Sequence, residues 1–278
     1  MSEYKEILVD EPRAGIRRIT LNQPKKRNCL SPTMRGEYLG ALQDADEDPS
    51  IRVMILCGAG KCFSSGYDLS VDITDPANLP FRSSHGEGMW PRHVTEGAFK
   101  IWDLGKPVLA QVHGYCLAGG SELAAACDLV YVSEDAKIGY PPVRLISPPD
   151  NQFFPWIAGM RSAMEMMLTG DAVDGPTAVR IGLANRCFPN DELENGVLDI
   201  AERIAKIPTD LQQLNKRSVH RAMEIMGMRA AIRAGTEIQA LATTTESSRN
   251  YILELQKGVS QALTKRDEKF GDYRTAKS

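Results

Sequence analysis

The sequence predicts an α/β fold with a helical C-terminal region. Short β-rich runs alternate with helical stretches over the first 140 residues, and an apolar helical stripe takes over after about residue 190. Of 278 residues, 42% are hydrophobic and 25% charged, which is enough apolar side chain to bury a sizeable interior. No run approaches the roughly 18 apolar residues that a membrane span requires.

Taken in order, Gly15–Leu21, Ile51–Leu56, Val108–Val112 and Leu129–Val132 read as strands, each bounded by glycine, proline or charge. Ser31-Pro32 opens a helix, because the serine oxygen can cap it and a proline at the first helical position needs no amide donor. That helix runs to about Glu47, ahead of Asp48-Pro49. Residues 71–97 follow neither period and carry three prolines, which predicts a long loop of the kind that covers a site. Further on, Leu198, Ala201, Ile204 and Ala205 share one helix face, and Thr209 with Gln212 predicts a capping box opening the next helix. Val219, Met223 and Met226 continue the stripe as core. The expected division is a core over 1–199 and a helical region over 200–278.

Charge and composition exclude several classes. Lys and Arg number 33 against 36 Asp and Glu, a net charge of -3, which argues against a nucleic-acid surface but leaves room for a local phosphate pocket. The N-terminal stretch MSEYKEILVDEP has neither the basic, apolar pattern of a secretory signal nor that of a transit peptide, so a cytoplasmic location is expected. The six cysteines form no CxxC pair and read as reduced thiols. The histidines show no ligand spacing, so no metal is expected.

Three nucleotide or nucleophile signatures fail. Gly58-Ala59-Gly60-Lys61 lacks the earlier glycine of a phosphate-cradling loop, and Lys61 is followed by Cys62. Phe63 stands where a dinucleotide-binding turn needs its third glycine. Gly119-Gly120-Ser121-Glu122-Leu123 ends in leucine where a nucleophile elbow needs glycine.

Two glycine-containing turns remain, Phe63–Leu69 and Tyr115–Glu122, each after an apolar strand and each leading toward a helix. Such turns can present free amides, and two facing each other could hold a developing oxyanion. Together they are far more specific than either alone. With ITLNQPKKRNCLS at 19–31, GAGKCFSSGYDL at 58–69, KPVLAQVHGYCLAGGSELAAACDLVYVSEDAKIGYP at 106–141, GMRSAMEMMLTGD at 159–171, IGLANRCFP at 181–189 and KRDEKF at 265–270, the chain resembles the enoyl-CoA hydratase/isomerase (crotonase) superfamily nearly end to end.

The resemblance implies a spiral of ββα units followed by helices that trimerise, as a homotrimer or dimer of trimers. It also implies an acyl-CoA thioester substrate, with no tightly bound cofactor beyond the coenzyme A of that substrate. It places the oxyanion donors at the amides of Ser65 and Gly119. Each such donor is worth on the order of 3 kcal/mol in comparable sites. Ser65, Gly66, Tyr67 and Asp68, with Lys25, Lys26 and Arg27, are expected along the coenzyme, and Lys265 near its phosphates from an adjacent subunit.

Of the family's two glutamates, Glu122 matches the first. The second is replaced by Pro142, which offers no proton and no acceptor side chain. Asp150, eight residues later, matches an aspartate that is catalytic in other branches of the family. Two carboxylates in unequal surroundings can divide acid and base work. Arg144 and the Trp90/His93 loop are further candidates for shaping the acyl pocket. The expected activity is enoyl-CoA isomerisation or hydration through a stabilised enolate, and isomerisation survives the loss at Pro142 better. The alternatives are hydrolysis or carbon–carbon cleavage of a cyclic ketoacyl-CoA, or acyl-CoA binding without turnover.

Overall fold

The computed structural model describes residues 4–70 and 92–273. A hairpin of β1 (Ile7–Arg13) and β2 (Ile16–Leu21) opens the chain, turning at Gly15, whose φ of 75° suits glycine. Next comes α1 (Pro32–Glu47), with the expected start: the Ser31 side chain accepts from the Met34 amide, and its hydroxyl donates to Glu6. Strand β3 (Val53–Gly58) then pairs parallel with β2. After α2 (Arg92–Asp103), the chain passes through β4 (Val108–Val112), β5 (Tyr115–Leu117), α3 (Gly119–Ala126), β6 (Leu129–Ser133) and β7 (Lys137–Gly139). It continues through α4 (Phe154–Ile157), α5 (Gly159–Thr169), β8 (Val173–Asp174), α6 (Gly175–Arg180) and β9 (Arg186–Phe188). Five helices close it: α7 (Leu193–Ala205), α8 (Thr209–Ile225), α9 (Met228–Ala242), α10 (Glu246–Lys257) and α11 (Val259–Glu268).

The strands form a six-stranded sheet, ordered β1-β2-β3-β4-β6-β9, and a three-stranded one, ordered β5-β7-β8. The chain visits them in turn: β4 then β5, followed by α3, and β6 then β7, followed by helices. Repetition stacks β3, β4, β6 and β9 in parallel. Their buried central members read as unbroken apolar runs because both sheet faces are covered. Val53, Ile55 and Leu109 pack with Leu193, Val197, Leu198 and Ala201 of α7, whereas Met54, Leu56 and Ala110 face the main core with α1 and α2.

Several expectations change. The boundary at 199/200 falls inside α7, which is packed on the sheet, so the α/β body extends through residue 205. No capping box forms at Thr209. Pro208 is the cap residue, Thr209 is already helical, and its hydroxyl accepts from Arg52 instead. Val219 and Met226 are exposed rather than core, and Met223 is half-buried. Residues 92–97 are helical, while the rest of the irregular 71–97 stretch lies outside the described residues, Trp90 included. The seven-residue β1 and the short β5, β7, β8 and β9 lie outside the strands expected from the sequence. Among the described residues no helix is long and apolar enough to cross a membrane.

The loop that leads to the first glycine turn is tied down by Asn28. Fully buried and left-handed (φ 50°), Asn28 donates from Nδ2 to the carbonyls of Ala59 (2.9 Å) and Cys62 (2.8 Å) and accepts from the Gln23 amide (2.9 Å). Its own carbonyl accepts from Ser64 Oγ at 2.7 Å. Alanine would leave two carbonyls and one amide without these partners and would keep the strained backbone. Asn28→Ala should therefore lower unfolding stability by about 2–4 kcal/mol, read as a shift in urea midpoint at unchanged slope. A loss below about 0.5 kcal/mol would show that this knot does not hold the loop.

Candidate active site

The two glycine turns meet. Gly66 has φ of 100°, and a Cβ there would lie 2.7 Å from the Ala118 Cβ and 3.1 Å from the Gly119 nitrogen, so only glycine fits. Ala118, the cap residue of α3, holds φ 52° and ψ -127°, a conformation costly for a residue with a Cβ. This kink starts the helix abruptly. The Ser121 and Glu122 amides bond back to the Ala118 carbonyl, while the Gly119 amide has no protein acceptor among the described residues.

The partner donor is not the one expected. The Ser65 amide donates to the Arg27 carbonyl at 3.0 Å, so it is spent inside the protein. Leu30 then pairs with both neighbours of Tyr67, its amide donating to Gly66 O (2.8 Å) and its carbonyl accepting from Asp68 N (3.3 Å). Alternation along an extended segment turns the intervening Tyr67 amide the other way. Among the described residues that amide has no acceptor, so Tyr67 replaces Ser65 as the candidate donor. Which amide is left over depends on long-range pairing with Leu30, and the local motif does not reveal it.

Beside these amides a small cleft, partly open to solvent, is lined by residues that include Arg35, Tyr38, Tyr67, Gly119, Glu122 and Asn151. Glu122 sits in the first turn of α3, 1% exposed. Its Oε2 accepts from the Tyr67 hydroxyl and its Oε1 from the Asn151 amide, both at 2.8 Å. Burial pushes this carboxyl well above the usual carboxylate range, and the nearby Asp150 charge pushes it further, against the pull of those two donors. Asp150 is 6% exposed, and burial pushes it up to about 7, with Arg35 drawing it down. Asp150 is not among the residues that line the cleft. Asn151 keeps its side-chain oxygen buried with no partner among the described residues.

Arg35 escaped the sequence reading. It occupies the buried face of α1 with Met34, Tyr38, Leu39 and Leu42, and its guanidinium lies 5.5 Å from the Tyr67 ring centroid. An arginine within that apolar stripe was the available signal.

The remaining candidates are not gathered here. Lys25, Lys26 and Arg27 are exposed on a 3-10 turn, with Lys26 paired to Asp68 at 3.5 Å. Asp68 also accepts from the Ser70 amide at 3.0 Å and hydroxyl at 2.5 Å, so it anchors its own loop. Lys265 pairs with Glu254 at 2.9 Å in a separate cavity with Arg266 and Lys269. Arg144 does not shape the acyl pocket: its buried guanidinium binds Asp171 (2.8 Å) and Asp272 (2.6 Å) and stacks over Phe270 at 3.8 Å. Of His93 only its place in α2 is described. No group of three or more potential metal ligands occurs among the described residues.

The profile of the enoyl-CoA hydratase/isomerase family matches residues 11–273. A Mycobacterium tuberculosis protein provisionally named an enoyl-CoA hydratase is 36% identical over 231 residues, spanning 77% of this chain and 73% of its own. The solved enoyl-CoA hydratase/isomerase from Xanthobacter autotrophicus Py2 superposes with a TM-score of 0.85 at 32% identity, covering 96% of this chain and 99% of that one. A monofunctional enoyl-CoA isomerase from Mycobacterium smegmatis superposes with a TM-score of 0.64 at 28% identity, over 79% of this chain and 94% of its own. With this match along nearly its whole length and the crotonase fold it shares with those structures, the chain belongs to the enoyl-CoA hydratase/isomerase family.

Proposed function

We propose that the protein moves the double bond of an enoyl-CoA through a thioester enolate. The observation that carries this reading is that Glu122, of the described carboxylates, is the one lining the cleft, beside two amides without internal acceptors. The Gly119 and Tyr67 amides receive the thioester oxygen, and the charge that develops there lowers the barrier to losing a neighbouring proton. Glu122 takes that proton from one carbon and returns it to another.

Asp150 makes the transfer reversible near neutrality. Two buried carboxyls this close titrate as a pair, and the pair holds one proton over the working range. Accepting the substrate's proton leaves the pair neutral while the negative charge sits on the enolate oxygen, so no step concentrates two charges in the interior. Returning the proton restores the start. In this reading the exposed Lys25, Lys26 and Arg27 would meet the coenzyme's phosphates, and the exposed apolar residues Met160, Leu168, Val219 and Met226 would meet another copy.

Hydration is the second reading, favoured by one observation. The unpaired Asn151 oxygen beside Glu122 is an acceptor that could hold an attacking water. Incubation with 2- and 3-enoyl-CoAs in deuterated water separates the two. Isomerisation gives a product of unchanged formula apart from exchanged hydrogens, and hydration adds the mass of water. A labelled hydroxyacyl-CoA as sole product would overturn isomerisation. Glu122→Gln should lower kcat by about 10²–10⁴-fold.

The Asp150 reading is tested through pH. kcat/KM should fall as pH drops below about 7, where the pair takes its second proton. Asp150→Asn should move that limb to higher pH, because Glu122 must then release its proton without a partner carboxyl that can ionise in its place. An unmoved limb removes Asp150 from the mechanism. Stability follows the same proton: the folded chain binds it more tightly than the unfolded one, whose aspartate titrates at about 3.9. Stability should therefore fall as pH rises from about 4 to about 7. Urea midpoints should show Asp150→Asn gaining more over the parent at about pH 8 than at about pH 5.

A further inference from the structure

The proton transfer described above uses the Tyr67 amide and leaves its side chain unassigned. Yet the phenol is the only hydroxyl bonded to Glu122 among the described residues. We propose that Tyr67 is a positioning residue: its hydroxyl fixes the Glu122 carboxyl toward the cleft and favours its ionised form, while its own amide stays free for the substrate oxygen. This inference rests on Glu122 being the proton carrier.

The carboxyl is clamped from two sides. Asn151 N holds Oε1 and the Tyr67 hydroxyl holds Oε2, each at 2.8 Å, so rotation of the carboxyl plane breaks one of the two bonds. The phenol is itself confined. Its ring lies so close over Gly119 that a Cβ there would meet ring carbons at 2.6 Å, and the Arg35 guanidinium sits 5.5 Å from the ring centroid. The same glycine whose amide faces the cleft thus supplies the floor on which the ring rests. One residue thereby fixes two distances at once, because amide and phenol belong to Tyr67 and cannot drift apart.

The chemistry also has a direction. Burial, with Glu122 and Asp150 nearby, holds the phenol well above its usual titration range, so it remains a donor at any working pH. A donor to a carboxylate opposes burial, which would otherwise keep Glu122 protonated and useless as a base. Asn151 does the same from the backbone, but Tyr67 is the side-chain donor and can be changed.

Tyr67→Phe keeps the ring over Gly119 and removes one hydroxyl. The readout is the carboxyl stretch of Glu122 in infrared difference spectra across pH, identified by its loss in Glu122→Gln. The phenylalanine variant should move this titration upward by about one pH unit or more and lower kcat about tenfold, with KM changed less than about threefold. Site-specific 3-fluorotyrosine at 67, a more acidic donor, should move the titration downward. It also serves if the phenylalanine variant folds poorly. A Glu122 titration unmoved by both changes overturns the proposal whatever happens to activity. So does a rise in KM with the titration unmoved, since the phenol would then be touching substrate. If the titration moves but the parent enzyme turns over no enoyl-CoA, positioning stands and the proposed reaction fails.

Discussion

Two electrostatically coupled carboxyls buried away from water are the constraint around which this molecule is arranged. An ionised pair in that setting would be prohibitive, and each unpaired charge costs several kcal/mol even after relaxation. Glu122 and Asp150 are tolerated because a phenol, a backbone amide and a buried guanidinium converge on them and because the pair can keep a proton. Those supports come from separate stretches of chain: Tyr67 after β3, Asn151 ahead of α4, and Arg35 in α1. The two-sheet spiral is what brings them together. Asn28 ties the 59–64 loop to the turn before α1, and Thr236 of α9 holds the Asp150 carbonyl at 2.9 Å while also bonding Thr95 of α2 at 2.6 Å.

The elements that could be read in the sequence are those whose signals are local. Ser31-Pro32 marks the start of α1 because cap oxygen, proline and apolar period agree within one turn, and Val108–Val112 is bounded by Pro107 and His113-Gly114 on either side. Strands of two or three residues, such as β8 and β9, carry no period of their own. They exist because a neighbour pairs with them. Thr209 failed as a cap for a related reason. Pro208 fixes the entry to α8, and the threonine hydroxyl finds Arg52, which is remote in sequence.

In the site, side chains were easier to place than amides. Glu122 and Gly119 follow from the kinked start of α3, which the GGSEL motif announces. The second donor depends on which amides Arg27 and Leu30 engage, a tertiary fact that moves it from Ser65 to Tyr67. Arg144 shows the opposite error. It is a candidate for shaping the acyl pocket by sequence, yet three aspartates and an aromatic ring engage it, and it ties the 141–144 turn to residues 267–272.

That turn explains why the second acid has to come from elsewhere. Pro142 stands where the resemblance expects a glutamate, and its carbonyl accepts from the amides of Leu145 (3.2 Å), Ile146 (2.7 Å) and Ser147 (3.2 Å). The chain therefore coils tightly after Pro142, and no side chain at that position has a proton to give. The coil carries the backbone on to Asp150 and Asn151, which bring to Glu122 the influence of a second carboxyl and an amide at 2.8 Å. Losing the glutamate thus alters the character of the site. Of the two buried carboxyls, Glu122 lines the cleft and Asp150 does not. A coupled pair of this kind can store and return a single proton.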